Sequence, residues 1–178
     1  MKTIKIIGIV VAALLIILGI VIAVQPSEAH LERYVFIDAP PASIFPEVSN
    51  FKNFNTWSPW SKMDPAAKYT YEGIDATAGS KMSWDGPKTG KGSQWIEEIE
   101  VDRRVKCGMS FEGFEGAIFS EFILEPEGQG TKVTWTYDGP NDGLAGKAMW
   151  LIMGTMMNKQ FEEGLFDLKT LTENKPKQ

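Results

Sequence analysis

Histidine and cysteine are almost missing from this sequence: His30 and Cys107 are the sole representatives in 178 residues. His30 sits beside the membrane, six residues beyond a long apolar run that ends at Val24, so Ser–His and Cys–His nucleophile pairs and His-based zinc sites are excluded from the expected folded domain. A single cysteine rules out an internal disulfide, and stability must come from core burial. Beside Lys106 the Cys107 thiol could be reactive, but without a partner base it reads better as a small buried hydrophobe. No Asn-x-Ser/Thr acceptor occurs. Acidic side chains outnumber basic ones, giving a net charge of −5, and no block of Lys and Arg stands outside the ends. That excludes nucleic acid as a main partner.

Charge is also absent from Ile6 to Val24, 19 residues without a strongly polar side chain. At about 1.5 Å per helical residue such a run nearly crosses a hydrocarbon core of roughly 30 Å. Lys2 and Lys5 precede it, so the positive-inside bias places residues 1–5 in the cytoplasm, residues 6–24 in the bilayer and the folded domain outside the cytoplasm. Apolar residues surround this helix on every side, which argues against a buried core helix. The alternative is a cleaved signal peptide with Ser27-Glu28-Ala29 as a weak processing site, leaving a secreted or periplasmic domain. The run exceeds the usual h-region of about 7 to 15 residues, which favours an uncleaved single-pass anchor.

Residues 25–30, with Pro26, read as a linker, residues 31–173 as one domain and residues 174–178 as a tail. Leu31 to Asp38 is rich in β-branched and aromatic residues and ends at Ala39-Pro40-Pro41, a first strand. Two short helices follow, one around Ile44, Phe45 and Val48 and one from Phe51 to Trp57, before Ser58-Pro59-Trp60 breaks the pattern. Strand-like runs then span Lys68–Gly73, Ser80–Trp84, Ser93–Val101, Arg104–Phe111, Ala117–Glu125 and Thr131–Tyr137. In the last of these, Val133, Trp135 and Tyr137 alternate with Thr134 and Thr136, the period of two of a half-buried strand. Glycine-bearing turns between the runs predict an antiparallel meander. Beyond Gly143, the residues Met149, Met153, Met156, Phe161, Leu165, Leu168 and Leu171 trace one stripe of a long amphipathic helix ending near Glu173. Gly154 and Gly164 within it suggest a bend or a close backbone approach.

This order is that of the helix-grip fold, an α+β architecture in which a curved antiparallel sheet wraps around a long C-terminal helix. The segments Phe51-Lys-Asn-Phe-Asn-Thr-Trp-Ser-Pro-Trp, Gly79-Ser-Lys-Met-Ser-Trp-Asp-Gly, Gly90-Lys-Gly-Ser-Gln-Trp-Ile, Phe122-Ile-Leu-Glu-Pro-Glu-Gly-Gln-Gly-Thr-Lys-Val-Thr-Trp and Phe161-Glu-Glu-Gly-Leu-Phe-Asp-Leu-Lys together resemble the SRPBCC (START/Bet v 1-like) superfamily. More narrowly they are similar to its polyketide cyclase/dehydrase and lipid-transport-like branch. The resemblance implies a deep cavity between sheet and long helix, used by different members for lipids, hormones or polyketides, with catalysis in only a few.

Residue chemistry narrows this further. Gly86-Pro-Lys-Thr-Gly90-Lys-Gly-Ser93 misses the phosphate-loop spacing and reads as a hairpin turn. Asp138 and Asp142 lack the partner ligands of a calcium loop. Met149, Met153, Met156 and Met157 could bind Cu(I), but with no Cys or His beside them adaptable pocket lining is the better reading, and no metal or cofactor is expected. Trp57, Trp60, Trp84, Trp95, Phe111, Phe119, Trp135 and Tyr137 join Met149, Met153 and Met156 as the candidate cavity lining. Glu121 is the remaining candidate. On its strand Ala117, Phe119, Glu121 and Ile123 share one face, and Ile118, Ser120, Phe122 and Leu124 the other. If the first face looks inward, Glu121 is a buried acid; if the second does, it is solvated. Glu97 and Glu98 alternate, so one of them should face the cavity.

The expected function is therefore a membrane-anchored binding module for a lipid or other hydrophobic small molecule. A cyclase or dehydratase using Glu121, Glu97 or Tyr137 as general acid or base, and a scaffold for another membrane protein, are the alternatives.

Overall fold

The computed structural model describes residues 2–174, so most of the expected tail lies outside the described residues. Helix α1 (Lys2–Ala23) begins four residues before the expected span; none of Thr3–Ala23 is buried, and the stretch is long and apolar enough to cross a bilayer. Strand β1 (Glu28–Ile37) follows after Pro26. It starts three residues before Leu31, because Glu28, Ala29 and His30 pair with Pro140, Gly139 and Asp138. Part of the expected linker is thus sheet, with Ala29 buried.

Three short helices come next, not two: α2 (Pro41–Ser49), α3 (Phe51–Trp57) and α4 (Pro59–Met63). Asn50 caps α3 by accepting from the Lys52 N–H at 2.9 Å, and Ser58 caps α4 by accepting from the Trp60 N–H at 3.3 Å. The Ser58-Pro59 break is therefore also a start, since an oxygen-bearing cap followed by proline at the first helical position is a helix N-terminus.

Strands β2 (Lys68–Glu72), β3 (Lys81–Gly86), β4 (Gly90–Glu100), β5 (Arg104–Phe111), β6 (Ile118–Glu127) and β7 (Gly130–Pro140) complete a curved, fully antiparallel seven-stranded sheet in the order β1-β7-β6-β5-β4-β3-β2. Gly86 pairs with Gly90, so the glycine-rich segment is a hairpin tip. Helix α5 (Gly143–Glu173) lies across the sheet in one run of 31 residues.

The two halves of α5 differ. In the second half Phe161, Leu165 and Leu168 are buried, and the apolar stripe does what its spacing predicts. An aromatic cluster fills the space beneath: Trp135 stacks on Phe161 with ring centres 3.9 Å apart and on Phe122 at 4.8 Å, with Phe54 and Trp57 edge-on. Gly164 is required here, because a Cβ would stand 2.9 Å from the Trp135 ring and 3.0 Å from Pro59. In the first half Met149, Met153 and Met156 remain partly exposed, and the sheet beneath them is not filled.

Candidate ligand cavity

Beneath the first half of α5 lies a cavity of about 530 Å³. Strands supply its floor through side chains that the pleat directs to one face: Met82 and Trp84 from β3, Gln94 from β4, Cys107, Met109 and Phe111 from β5, Ser120 from β6, and Trp135 and Tyr137 from β7. Helices α3 and α4 supply one wall, which includes Trp60, and α5 supplies the roof through Met149, Met153, Met156 and Met157. Lys88, Glu112, Gly113 and Phe114 also line it and are exposed, so the cavity opens between the β3–β4 hairpin, the β5–β6 loop and α5.

Of the candidate residues, Trp60, Trp84, Phe111, Trp135, Tyr137, Met149, Met153 and Met156 are brought together around this space. Four are not. Trp57 is 2% exposed inside the aromatic cluster, its indole N–H donating to the Glu47 carbonyl at 3.0 Å. Trp95 projects from the outer face of β4 across Gly108 and donates to Glu97 Oε1 at 3.3 Å. Phe119 lies on the outer face of β6 beneath the Lys106 ammonium, 4.8 Å from its ring centre.

Glu121 shares that outer face and pairs with the Arg104 guanidinium. Ile118, Phe122 and Leu124 are buried, so this face of β6 looks inward and no buried acid sits at position 121. Glu97 and Glu98 do not alternate as expected. A bulge between Ile96 and Glu98 shifts the register, both side chains are exposed, and Glu98 pairs with Arg104 and Lys106. The Arg104 hydrogen bond, aided by Lys106, holds the Glu98 carboxyl below the usual range.

The polar content of the interior is small and neutral. Ser120 is already engaged, accepting from the Trp135 indole N–H at 2.9 Å and donating to the Thr136 carbonyl at 3.0 Å. Gln94 is 7% exposed and lines the cavity, yet its carboxamide has no hydrogen-bond partner among the described residues. The Tyr137 hydroxyl likewise has none, and burial, with Asp138 nearby, raises its pKa, so it is a neutral donor and acceptor. Gln94 and Met82 are not among the candidate lining residues, and Cys107, expected as a small buried hydrophobe, is buried and also faces the cavity. Their signal was alternation: each is an inward position of its strand, and Met82 sits two residues before Trp84.

Burial, with Glu97 adding to it, pushes the Cys107 thiol up to about 12. The folded thiol stays neutral where an unfolded one, near 9, ionises. The unfolded state therefore holds fewer protons above pH 9, and stability falls as pH rises between these values, by up to about 1.4 kcal/mol per pH unit. Urea midpoints of the full chain should show this alkaline slope, and Cys107→Ala should show a shallower one, the buried Tyr137 hydroxyl still contributing.

Asp64 fixes the rim. Its Oδ2 accepts from the Lys88 N–H at 2.8 Å, the Thr89 N–H at 2.9 Å and the Thr89 hydroxyl at 3.0 Å. Burial alone would raise the carboxyl, but these hydrogen bonds outweigh it and leave it below its ordinary value near 3.8. The clamp is present above that value and lost as pH falls through the lower folded one. Gly86 leaves room for the carboxylate, since a Cβ there would collide with Oδ2. Asp64→Ala is expected to speed amide hydrogen exchange at Lys88 and Thr89 while the amides of β6 and β7 keep their protection.

A curved antiparallel sheet, a long C-terminal helix and an apolar cavity between them define a helix-grip domain. The sequence matches the family described as "Polyketide cyclase / dehydrase and lipid transport" over residues 28–173, and the chain belongs to that family. Solved structures agree on the fold. Protein CV1439 from Chromobacterium violaceum is 18% identical with a TM-score of 0.58, the match covering 85% of this chain and 100% of that one. The Aha1 dimer from Colwellia psychrerythraea is 16% identical at a TM-score of 0.60, covering 82% and 97%. Ara h 8.0201 is 13% identical at 0.59, covering 83% and 99%. A comparison with curated proteins returned no match.

Proposed function

We propose that this protein is a membrane-anchored binding module that holds a lipid or other hydrophobic small molecule in its cavity. The observation that carries the proposal is the cavity itself: about 530 Å³, walled by aromatic and methionine side chains, with two unengaged neutral polar groups, Gln94 and Tyr137. Small-molecule sites commonly measure roughly 300–1,000 Å³ and combine such walls with a few polar groups. A long apolar ligand with one uncharged hydrogen-bonding head fits this chemistry, and the family description supports it by naming lipid transport.

Anchoring is supported by α1, whose Thr3–Ala23 stretch finds no burial within the fold. Retention of the helix is supported by β1. Processing after Ala29 would remove two residues of that strand, one of them buried. Lys2 and Lys5 favour a cytoplasmic N-terminus. For a cyclase-type reaction the interior offers Tyr137 and Cys107, both held protonated, while Glu97 and Glu121 lie outside it.

The test is native mass spectrometry of the full chain released from phospholipid nanodiscs, before and after incubation with pyrenedecanol. A bound apolar adduct at one per chain is expected. Bare protein in both spectra, with no change in pyrene emission, would refute the binding role.

A further inference from the structure

The cavity mouth, the exit of α1 and an uncovered apolar helix face all lie at one end of the sheet. The strand register fixes this end: Glu28 faces Pro140, Met109 faces Ile118, and Gly86 faces Gly90. The β3–β4 hairpin and the β5–β6 loop, which border the mouth, close the strands there. Helix α1 arrives at the same end. Lys147 Nζ, on the second turn of α5, donates to the Ala23 carbonyl at 3.2 Å, and the Asn141 side chain donates to the Pro26 carbonyl at 2.9 Å. Val101 and Ile74 mark the opposite end, beyond the Glu100–Arg104 and Glu72–Lys81 pairs.

The first half of α5 does not have the composition of a solvated helix face. From Gly143 to Phe161 there is no acidic residue, and Lys147 and Lys159 are the only charges. Leu144 is 66% exposed, Ile152 76% and Met149 53%, and across the mouth Phe114 is 41% exposed. Acidic residues return only from Glu162 onward, where the helix is packed on the sheet. Basic and apolar without carboxylates is the pattern of a helix lying in a headgroup region.

We infer that the first half of α5 and the Phe114 loop sit in the bilayer interface beside α1, so that the cavity opens onto the lipid phase. This rests on the anchored reading proposed above. The occupant of the apolar face is the membrane to which α1 delivers it: the Ala23 carbonyl at the end of α1 accepts from Lys147 of α5, three residues from Leu144 and five from Ile152. Lys147 then meets the headgroup phosphates while its neighbours reach the acyl boundary. A ligand would pass between membrane and cavity along Met149 and Phe114, which are both exposed and lining, without crossing water.

The experiment places an environment-sensitive fluorophore (NBD) at single sites of the full chain in phosphatidylcholine vesicles containing nitroxide-labelled phosphatidylcholine. The sites are Ile152→Cys, Leu14→Cys within α1, and Val101→Cys at the far end. Cys107→Ala is the background, with native Cys107 as a second version. Blue-shifted emission with nitroxide quenching at 152 and 14, and neither at 101, is expected. If 152 resembles 101 while 14 is quenched, the interfacial face is wrong and the anchored binding module stands. Blue-shifted emission at 152 without quenching means that protein rather than lipid surrounds the site, and also overturns the inference. Absence of quenching at 14 removes the anchor and the inference together.

Discussion

Trp135→Ala is expected to lower unfolding stability by about 3–5 kcal/mol, the range for deleting a buried aromatic side chain. Trp135 is 3% exposed, lies between the Phe161 and Phe122 rings, meets Phe54 and Trp57 edge-on, and donates its N–H to Ser120. Its removal opens a void that these rings cannot close, because Phe161 is held by α5 and Phe122 by β6. Ser120 also loses its donor. Native domains hold about 5–15 kcal/mol in all, so a loss of this size leaves little reserve. Urea titration of the full chain in nanodiscs, followed by near-ultraviolet circular dichroism, measures it. A loss below about 1 kcal/mol would mean that the cluster does not carry the core, since that is the cost of an ordinary substitution.

Trp135 was legible in the sequence because its strand alternates without interruption. The same holds for the second half of α5, where Phe161, Leu165 and Leu168 recur at helical spacing against a sheet. The start of β1 was less legible. Glu28 and His30 look like linker residues until their partners in β7, over a hundred positions away, are known. Helix α4 is hard to see in the sequence for a local reason: Ser58-Pro59 breaks the preceding helical pattern, although serine before proline also begins a helix. The segment from Gly86 to Ser93, expected as a hairpin turn, did become one at its tip between Gly86 and Gly90, because turn composition acts within a few residues.

The site was legible in outline. Residue type marks tryptophan and methionine as cavity lining, but type does not determine face. Trp95 and Phe119 have the right chemistry and point outward, while Trp57 has it and is consumed by the core. Glu97 and Glu98 were misplaced because a bulge adds one residue to β4, and no residue there announces it. Glu121 stayed ambiguous because both faces of β6 carry aromatic side chains. The burial of Ile118, Phe122 and Leu124 resolves it, and Arg104 on the neighbouring strand meets the carboxylate on the outer face. Gln94 was overlooked because a glutamine in a strand ordinarily marks the solvated face. Here it is a buried amide facing an apolar space.

Cys107→Phe separates a cavity that binds from one that merely exists. The side chain of Cys107 is buried at the centre of β5 and faces the void between the sheet and the first half of α5. A phenyl ring at this position extends into space that is otherwise unfilled. The usual cost of enlarging a core residue, about 1–3 kcal/mol, applies where packing is already tight. Filling a void instead commonly adds about 0.5–2 kcal/mol. The variant should therefore melt at or above the wild-type temperature and lose the alkaline slope of the thiol. Pyrenedecanol affinity should fall at least about tenfold, equivalent to about 1.4 kcal/mol. Gln94→Leu gives the complementary result: the volume is kept and the amide is lost, so a pyrene hydrocarbon without the hydroxyl should bind as well as before while pyrenedecanol weakens. Undiminished pyrenedecanol binding by Cys107→Phe, in a protein of unchanged stability, would place the probe outside this cavity and leave the aromatic and methionine walls without a ligand.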